Sequence, residues 1–369
     1  MKIKKIFLRA IFLAESVKGG TSPNPAVGCV VVSRGAIVGE GATQMAGGAH
    51  AEVVALTKAG SRAKGSELYV TLEPCVDFPG KKTPSCTDAI IRAGIKRVYI
   101  GMKDPNPDIN GRGIKKLKRA GISVVIVKEY ENELKKLNED YMKYIQTGLP
   151  FVYAKCAMTL DGNIADLSGD SKWISSEESR KWVHNLRNRV DCIMVGVGTI
   201  IKDNPSLNVR YVKNKKKDPI RIVIDPEGKT PFSSRVMMDS NRTIFVVNKG
   251  IGELFKKTVE KNHKELIEFE CEKNVDGKSE INLKKLIAYL GRERGIESIL
   301  IEGGGKLFYQ AIKYRVVDKM IIFIAPKIFG GVGTPFLNGK ALFSVRKALK
   351  VKDISVENIG EDLLVQGYL

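Results

Sequence analysis

Long apolar runs are missing from this sequence of 369 residues. No stretch approaches the roughly 20 consecutive apolar residues that a membrane-spanning helix needs. Near the N-terminus, Arg9 and Glu15 interrupt the apolar residues, which excludes the core of a secretory signal peptide. We therefore expect a cytoplasmic protein that does not insert into membranes, with an amphipathic first helix over residues 3 to 18.

Cysteine is also scarce, with six residues at uneven spacing. In a chain of this length such a pattern favours a reducing compartment and argues against a disulfide framework. Four of the cysteines lie in apolar, strand-like runs and are expected to be buried core residues: Cys29, Cys156, Cys192 and Cys271. The other two, Cys75 and Cys86, are candidate metal ligands.

Acidic residues are too few to balance the basic ones, since 61 Lys and Arg face 41 Asp and Glu, for a net charge of +20. Such an excess suits nucleic acid, a membrane surface or phosphorylated small molecules. The abundance of Lys, Glu and Ile is also a bias of hyperthermophile proteins, so growth temperature is another source of the charge. Neither tail has a disordered composition, and the length predicts two domains.

A possible metal site begins at His50 and ends at Cys86. His50, Cys75 and Cys86 offer one imidazole and two thiolates, and a tetrahedral zinc ion with three such ligands keeps a fourth position for water, as catalytic sites do. Residues 50 to 59 have the pattern of a helix, so His50 and Glu52 are expected in its first turn. Glu52 could then move a proton from the water to a leaving amine without ligating the metal.

This pattern resembles the zinc-dependent cytidine deaminase superfamily, whose motif is H-x-E followed by P-C-x-x-C. Here ten residues separate Cys75 from Cys86 where that motif has two. The wide spacing, with Gly80-Lys-x-Thr-Pro-x-Cys86, is similar to that of the riboflavin-biosynthesis deaminases, although their loop is usually shorter and often has His where Asp77 stands. A structural zinc knuckle, a zinc-stabilised binding module and two unrelated core cysteines are alternatives, but they leave Glu52 unexplained.

Asn24 lies between two prolines in the turn-rich loop of residues 19 to 25. Proline restricts both its own backbone and that of the preceding residue, so this loop is a stiff mount for one amide side chain. A simple turn is the alternative. The string Pro23–Cys29 resembles the riboflavin deaminases, in which the Asn contacts substrate, and the resemblance assigns Asn24 to substrate binding.

Strands alternate with short helices in the rest of the first half, which predicts an α/β domain with a partly parallel sheet. Asp104-Pro-Asn-Pro107 is a second rigid loop after a strand, where such sheets tend to bind ligands. A charged helix over residues 131 to 147 leads into Gly148-Leu-Pro150, which places the boundary between domains 1–147 and 148–369. The other expected elements are a hairpin over residues 27 to 39, helices 87–93 and 112–120, and strands 96–101 and 122–127.

The second half shows a new α/β pattern that begins with a strand at Phe151. Ser175-Ser-Glu-Glu178 has the form of a capping box that opens a helix. The basic run Lys213–Lys217 is expected to be a solvated loop. We also predict a loop over residues 196 to 205, strands 191–195, 220–224, 243–247 and 298–301, a polar stretch after residue 247, and a helix over residues 283 to 294.

Three glycines follow Glu302, between that last strand and a helix that continues to Arg315. Glycines at a helix N-terminus let backbone amides approach phosphate oxygens. The string is not the dinucleotide fingerprint G-x-G-x-x-G, and a tight turn is the alternative.

Five motifs of the second half together resemble the NADPH-dependent reductase domain of the bifunctional riboflavin-biosynthesis enzymes. They are Lys155-x-Ala-x-Thr159-Leu-Asp161-Gly, Ser171-x-Trp173-Ile, Gly196-x-Gly-Thr199 with Asp203, Leu207-x-x-Arg210, and Glu302-Gly-Gly-Gly. The resemblance covers essentially the whole chain. It implies a cytidine-deaminase-like three-layer α/β/α domain followed by a dihydrofolate-reductase-like α/β domain, with Zn2+ and NADPH as cofactors.

Matching positions imply the residues of the reductase site. Those expected to face substrate are Ser171, Arg187, Leu207, Arg210 and Glu302. Those expected to face the nucleotide are Ala157, Trp173, Thr199, Asp203, Gly304, Gly305, Lys306, Leu307, Phe308, Tyr309 and Gln310. Lys155 and Asp161 are candidate polar helpers, and Asp225-Pro226 departs from the Asp-Ser that the family usually has at a cofactor position.

The implied function has two steps. The first half would hydrolyse the exocyclic amine of a 2,5-diamino-6-ribosylamino-4(3H)-pyrimidinone 5′-phosphate, and the second would reduce the ribosyl group to ribityl with NADPH. The expected partner is this phosphorylated small molecule, without nucleic acid or membrane, and the chain is expected to be a homo-oligomer. The alternative is a nucleic-acid base deaminase with a basic RNA-binding C-terminal domain. The positive net charge favours it, but the second half of the sequence lacks the paired aromatic residues of an RNA-binding motif.

Overall fold

The computed structural model describes residues 2–79, 83–273, 277, 279–331 and 333–369. The chain forms two compact units, Met1–Gly148 and Leu149–Leu369. Among the described residues, no helix has the length and apolarity needed to cross a bilayer. The predicted Gly80-Lys part of the loop before Cys86 lies outside the described residues.

The first unit is built on a five-stranded sheet with the order β2-β1-β3-β4-β5. β1 is antiparallel to β2 and β3, whereas β3, β4 and β5 are parallel. The elements in chain order are α1 Lys2–Val17, β1 Gly28–Ser33, β2 Ala36–Ala42, α2 Ala51–Ala59, β3 Glu67–Leu72, α3 Cys86–Arg92, β4 Arg97–Met102, α4 Arg112–Arg119, β5 Ser123–Ile126, α5 Glu131–Leu137 and α6 Glu139–Thr147.

Two glycines show that helices cover both faces of this sheet. A Cβ on Gly28 would lie 1.9 Å from the carbonyl oxygen of Ala10 in α1, and a Cβ on Gly41 would lie 2.3 Å from that of Ala51 in α2. Gly41 pairs with Cys29, the neighbour of Gly28, and successive strand residues point to opposite faces. α1 and α2 therefore pack on opposite faces, which gives the expected three layers.

The topology brings four chain segments to one edge of the sheet. β1 starts, and β2, β3 and β4 end, at this edge, because Gly28 pairs with Ala42 and Leu72 pairs with Met102. The segments that lead into or out of the strands at this edge are residues 19–27, 43–50, 73–75 and 103–111, which include Asn24, His50 and Cys75. Three predicted site residues of the first half thus lie at one edge, where the strands begin or end.

The second unit contains a nine-stranded sheet with the order β11-β10-β9-β8-β14-β6-β15-β18-β17. Its first seven strands are parallel, and β18 is antiparallel to both of its neighbours. The elements are β6 Phe151–Thr159, β7 Asn163–Ala165, α7 Glu177–Arg187, β8 Cys192–Gly196, α8 Val197–Asp203, β9 Ile220–Ile224, α9 Arg235–Met238, β10 Thr243–Asn248, α10 Glu253–Lys261, β11 Glu265–Phe269, β12 Glu272–Lys273, β13 Ser279–Glu280, α11 Leu283–Arg292, β14 Ser298–Gly303, α12 Gly305–Lys313, β15 Lys319–Ala325, β16 Thr334–Pro335, β17 Lys352–Ile359 and β18 Asp362–Tyr368.

Several predicted elements were wrong in detail. The helix over residues 131 to 147 is two helices, because Asn138 leaves helical geometry at φ −115° and ψ 27°. The cap of α7 is Ser176, whose side chain accepts from the Ser179 amide, so the predicted box was one residue early. Most of the predicted loop at 196–205 is α8, which ends where Asn204 adopts a left-handed conformation.

The predicted polar stretch after residue 247 contains both α10 and β11, the latter being an edge strand of the large sheet. Only one residue of β11 is buried, so alternation of apolar and polar residues was too weak to reveal it. Cys271 is only partly buried, outside any strand, whereas Cys29, Cys156 and Cys192 are buried as expected.

Candidate functional site

The predicted zinc ligands come together in the first unit. One donor atom from each of His50, Cys75 and Cys86 lies within 4.8 Å of the others, the one such group of His, Cys, Asp or Glu found in the described residues. His50 Nδ1 is 3.5 Å from Cys75 Sγ and 3.3 Å from Cys86 Sγ. Asp77 is exposed and outside this group.

Local structure fixes each of the three side chains. His50 is the N-cap of α2, not a residue of its first turn as predicted, and Cys75 follows β3 after two intervening residues. Ser85 caps α3 by accepting from the Asp88 amide, which makes Cys86 the first residue of that helix. The Cys86 amide points towards Cys75 Sγ at 3.5 Å, a contact that favours a thiolate there.

Thr83 orients the imidazole from the far side of the ring. Its Oγ1 atom is 3.2 Å from His50 Nε2, while Nδ1 faces the two sulfurs. A metal-ligating His commonly has its second nitrogen bonded in this way, which fixes the tautomer. The sequence did not predict this role for Thr83, although Thr83 belongs to the lengthened loop between Cys75 and Cys86.

Glu52 lies in the first turn of α2 and is 4 % exposed. Burial, with the nearby Cys75 thiolate adding to the effect, raises the pKa of its carboxyl to about 7. A hydrogen bond with Cys86 lowers the pKa of the Cys75 thiol to about 4. The pocket thus contains a carboxyl group that can hold or release a proton near neutral pH, beside two sulfurs and an imidazole.

Glu73 is a buried residue near the site that sequence reasoning missed. Its carboxylate accepts from the backbone amides of Gly111 at 2.9 Å, Ile114 at 3.0 Å and Asp104 at 3.4 Å. These bonds hold the second Pro-Asn-Pro loop against the segment that carries Cys75. Burial raises the pKa of Asp104 to about 6. The Glu-Pro-Cys string contains Glu73, but the string does not indicate which backbone amides a buried carboxylate accepts hydrogen bonds from.

A buried ionic cluster marks the second unit. Arg187 donates from Nε and Nη2 to the two carboxylate oxygens of Glu302, both at 2.6 Å, and from Nη1 to the carbonyl of Asn208 at 3.1 Å. Burial lowers the pKa of the nearby Lys155 ammonium, and the charge of Glu302 opposes that shift. Glu302 lies near the carboxyl end of β14, Lys155 lies in the adjacent strand β6, and Arg187 ends α7.

His184 connects this cluster to Arg210. Its Nδ1 atom accepts from the Arg210 amide at 2.9 Å, so this nitrogen carries no proton. Burial, with Arg187 and Arg210 close by, lowers the pKa of His184 to about 4. The Arg210 guanidinium is exposed, and the described residues offer it no hydrogen bond or ion pair beyond a face contact with Tyr211. Leu207, which was also expected to face substrate, is 4 % exposed and belongs to the core.

The glycine string is shaped by close neighbours. A Cβ on Gly303 would lie 2.7 Å from the Thr199 hydroxyl, and Gly304 has φ +83°, which disfavours any other residue. Gly305 begins α12, so backbone amides are presented at a helix N-terminus. Of the residues that follow, Leu307 and Phe308 are buried in the core, and Lys306 is exposed.

The other residues expected near the nucleotide are partly or fully accessible. Trp173 is 65 % exposed, with the Arg180 guanidinium over its ring at 4.3 Å. Burial raises the pKa of Asp203. The remaining ones, Ala157, Thr199, Tyr309 and Gln310, are partly buried, as is Ser171, which is expected to face the substrate.

Asp161 and Asp225 both bind backbone amides. Asp161 accepts from the Thr159 hydroxyl and from the amides of Phe329 and Gly330, which lowers its pKa to about 2. It therefore orients the loop that contains Phe329 and Gly330, while its role as a polar helper of the reductase stays a prediction. Asp225 is buried and accepts from the Lys229 and Thr230 amides. These hydrogen bonds stabilise a tight turn that begins at Asp225-Pro226.

The fold, the donor set and two matching family models define the class of protein. The model described as the cytidine and deoxycytidylate deaminase zinc-binding region matches residues 1–102, and the RibD C-terminal domain matches residues 150–365. The chain is a bifunctional enzyme that joins a zinc-dependent deaminase to an NADPH-dependent reductase. A nucleic-acid deaminase with an RNA-binding appendage is not favoured, because the second half matches a reductase domain.

Whole-chain relatives specify the family. The riboflavin biosynthesis protein RibD of Aquifex aeolicus is 44% identical, over 99% of this chain and 98% of the relative. The structure of Acinetobacter baumannii RibD superimposes with a TM-score of 0.86 at 30% identity, covering 100% of this chain and 98% of the other. The Thermotoga maritima diaminohydroxyphosphoribosylaminopyrimidine deaminase/5-amino-6-(5-phosphoribosylamino)uracil reductase gives a TM-score of 0.84 at 36% identity, covering 98% and 97%. The chain belongs to the RibD family of riboflavin-biosynthesis enzymes.

Proposed function

We propose that His50, Cys75 and Cys86 hold the zinc ion and that Glu52 is the proton carrier of the deaminase. The observation that carries this proposal is the spacing of the donor atoms. Tetrahedral bonds of about 2.05 Å to nitrogen and 2.3 Å to sulfur place these atoms roughly 3.6 Å apart, and the two N···S separations are 3.5 and 3.3 Å. The residues present therefore fit zinc.

When bound, zinc supplies a water that loses its proton near neutral pH. The chain's own part is to exclude solvent and to move protons. Glu52 is buried next to the ligands and can accept a proton at its carboxylate and return it to the departing amine. Thr83 keeps the imidazole in the tautomer whose Nδ1 lone pair is free for the metal. The products are a carbonyl on the pyrimidine ring and ammonia.

The substrate we infer is the diaminopyrimidinone ribotide that the name of the Thermotoga relative implies. Asn24 would form hydrogen bonds with the pyrimidine ring of this substrate. It lies on the stiff loop before β1, at the same edge of the sheet as His50 and Cys75. We assign deamination to residues 1–147 and reduction to residues 148–369, which the two successive family matches support.

In the reductase half we propose that Arg210 binds the substrate phosphate. A guanidinium can hold phosphate through two parallel hydrogen bonds, and Arg210 is exposed with its backbone fixed by His184. Arg187 was also expected to face substrate, but its Nε, Nη1 and Nη2 atoms already bind Glu302 and Asn208. Its proposed role is to hold Glu302 beside Lys155. Lys155, with its lowered pKa, is the candidate proton donor to the sugar oxygen.

NADPH supplies the hydride when it is bound. The residues that we propose to hold it are the accessible ones at the carboxyl ends of β6, β8 and β14, since ligands of α/β sheets bind there. Backbone amides of Gly304 and Gly305 would face the phosphates, with Thr199 packed behind the glycine string. Buried Leu307 and Phe308 would contribute backbone alone. The expected nucleotide contacts of Ala157, Trp173 and Asp203 remain proposals, as does the expected substrate contact of Ser171.

The basic surface requires no nucleic-acid partner in this proposal. Lys215 pairs with Asp218, and Lys217 with Asp191, both at 2.7 Å, so part of the basic run anchors its own loop. The rest of the run is exposed. We propose a solvated surface and a small-molecule partner. The homo-oligomer expected from the sequence stays a prediction.

Metal analysis of two cysteine variants tests the proposed ligands. Cys86→Ser should lose zinc, because a hydroxyl is a poor substitute for a thiolate. Cys29→Ser is the matched control, since Cys29 is equally buried but lies in β1 outside the donor group. One zinc per chain in the control and none in Cys86→Ser is expected. Full zinc in both variants would remove Cys86 from the site.

A further inference from the structure

We propose that the segment from Asn138 to Tyr141 is a positioning element that holds both Pro-Asn-Pro loops of the deaminase and thereby determines how tightly the pyrimidine substrate binds. The inference rests on the proposed substrate role of Asn24. It goes beyond that role by assigning a function to residues that are far in sequence from the proposed metal ligands.

Asn138 holds one end of the loop that carries Asn24. Its side chain accepts from the Ala26 amide at 2.9 Å and donates to the Ala26 carbonyl at 3.1 Å. Asn138 is 1 % exposed, and Ala26 follows Asn24 after a single proline. An amide side chain can satisfy a backbone donor and a backbone acceptor at once, which no charged or aliphatic side chain of this size can do.

Asp140 holds the other end of the same loop. Its carboxylate forms an ion pair with Lys18, the residue after α1, and both side chains are nearly buried at 11 % and 12 % exposure. The same carboxylate oxygen accepts from the Tyr141 amide at 2.9 Å. Residues 19 to 25 are therefore tied at both ends to the start of α6, through its N-cap Asn138 and through Asp140 in its first turn.

Tyr141 reaches the second loop. Its hydroxyl donates to the Asp104 carboxylate at 3.1 Å, and the same carboxylate oxygen accepts from the Asn106 amide at 2.9 Å. The break between α5 and α6 makes this arrangement possible. In an uninterrupted helix, Asn138 would keep helical geometry, and its side chain would leave in a different direction from the one observed.

None of these side chains belongs to the donor group that we propose for the metal, so the segment is a set of positioning residues. Its loss should loosen contacts that a bound substrate makes in both the ground state and the transition state. Weakening of such uniform binding raises KM and leaves kcat nearly unchanged.

The test is steady-state deamination by the full-length, zinc-loaded chain. Asn138→Leu, which keeps the volume but makes neither hydrogen bond, should raise KM by about tenfold and change kcat by less than about threefold. Tyr141→Phe removes a single hydroxyl and should raise KM in the same direction. It decides the question if Asn138→Leu fails to fold.

Ser66→Ala is the matched control, because Ser66 is 2 % exposed, donates to the Ala63 carbonyl and lies before β3, at the opposite edge of the same sheet. Its KM should equal that of the wild type. Zinc content and thermal midpoint are recorded for every variant. Unchanged KM in folded Asn138→Leu and Tyr141→Phe would overturn the inference, as would an equal rise in Ser66→Ala. A wild-type chain that does not deaminate the ribotide would instead contradict the proposed function.

Discussion

The Nε2 atom of His50 lies 3.2 Å from the hydroxyl oxygen of Thr83, on the opposite side of the ring from the two cysteine sulfurs. Thr83 belongs to the stretch of ten residues between Cys75 and Cys86, where the short deaminase motif has two. The lengthened loop therefore returns to the metal site and contributes to it from outside the ligand shell.

Thr83→Val should weaken zinc binding, because the imidazole loses the hydrogen bond that fixes its tautomer. Loss of such a partner commonly costs about 10- to 100-fold in metal affinity. Competition with a chromophoric chelator measures the affinity, and deamination should recover at saturating zinc. Thr57→Val, at an exposed position on α2, is the control. Equal affinities in the two variants would contradict the role of Thr83.

Glu52→Gln separates proton transfer from metal binding. The amide keeps the size of the carboxyl but cannot take up a proton, so deamination should fall by at least about 10²-fold with zinc content unchanged. NADPH oxidation with substrate that is already deaminated should be the same as in the wild type, which serves as the internal control. Near-normal deamination by this variant would remove Glu52 from the mechanism.

The sequence predicted which side chains meet near Cys75 better than it predicted the contacts that hold them there. His50, Cys75 and Cys86 come together, as their residue types and spacing indicated. Their role as zinc ligands and the role of Glu52 in proton transfer stay predictions. The partners Thr83 and Glu73 were not assigned, because hydrogen bonds to a ring nitrogen or to the amides of Gly111 and Ile114 depend on how loops fold back.

The large sheet of the second unit was also predicted only in part. Its parallel central strands were largely predicted, since buried strands are continuous apolar runs. The edge strands β11 and β17 were not, because neither is a continuous apolar run. β11 has one buried residue, and β17 is exposed along nearly all its length, with Ile354 and Val356 as isolated apolar residues. Helix α8 was read as a loop because it is only seven residues long and starts among glycines.

Arg210→Lys should raise KM for the ribotide in the reductase assay and leave NADPH affinity nearly unchanged. Lysine keeps the charge but cannot form two parallel hydrogen bonds to phosphate. Initial rates at varied ribotide and varied NADPH measure the two effects separately. Arg189→Lys, at an exposed position just after α7, is the control and should change neither constant. A rise in the KM for NADPH alone would place Arg210 at the cofactor instead.

His184 should make the second unit less stable in mild acid. Its pKa is about 4 in the folded chain, below the ordinary value of about 6.5, so the unfolded chain binds the proton more tightly. The stability that neutral His184 provides is complete above pH ~6.5 and is lost progressively as the pH falls towards 4.

His184→Asn offers an amide oxygen to the Arg210 amide but does not titrate in this range. The thermal transition that NADPH shifts upward reports the second unit. Its midpoint should fall less between pH 7 and 5 in the variant than in the wild type. Parallel curves for the two proteins would show that His184 is not the group that titrates.

The most direct test of the account is mass spectrometry of the diaminopyrimidinone ribotide after incubation with the zinc-loaded chain, with and without NADPH. Without NADPH, we predict a product in which one amine has been replaced by a carbonyl oxygen. With NADPH, we predict that the same product also gains two hydrogens. A ribotide of unchanged mass in both reactions, or reduction with no replacement of the amine, would contradict the assignment of a deaminase followed by a reductase.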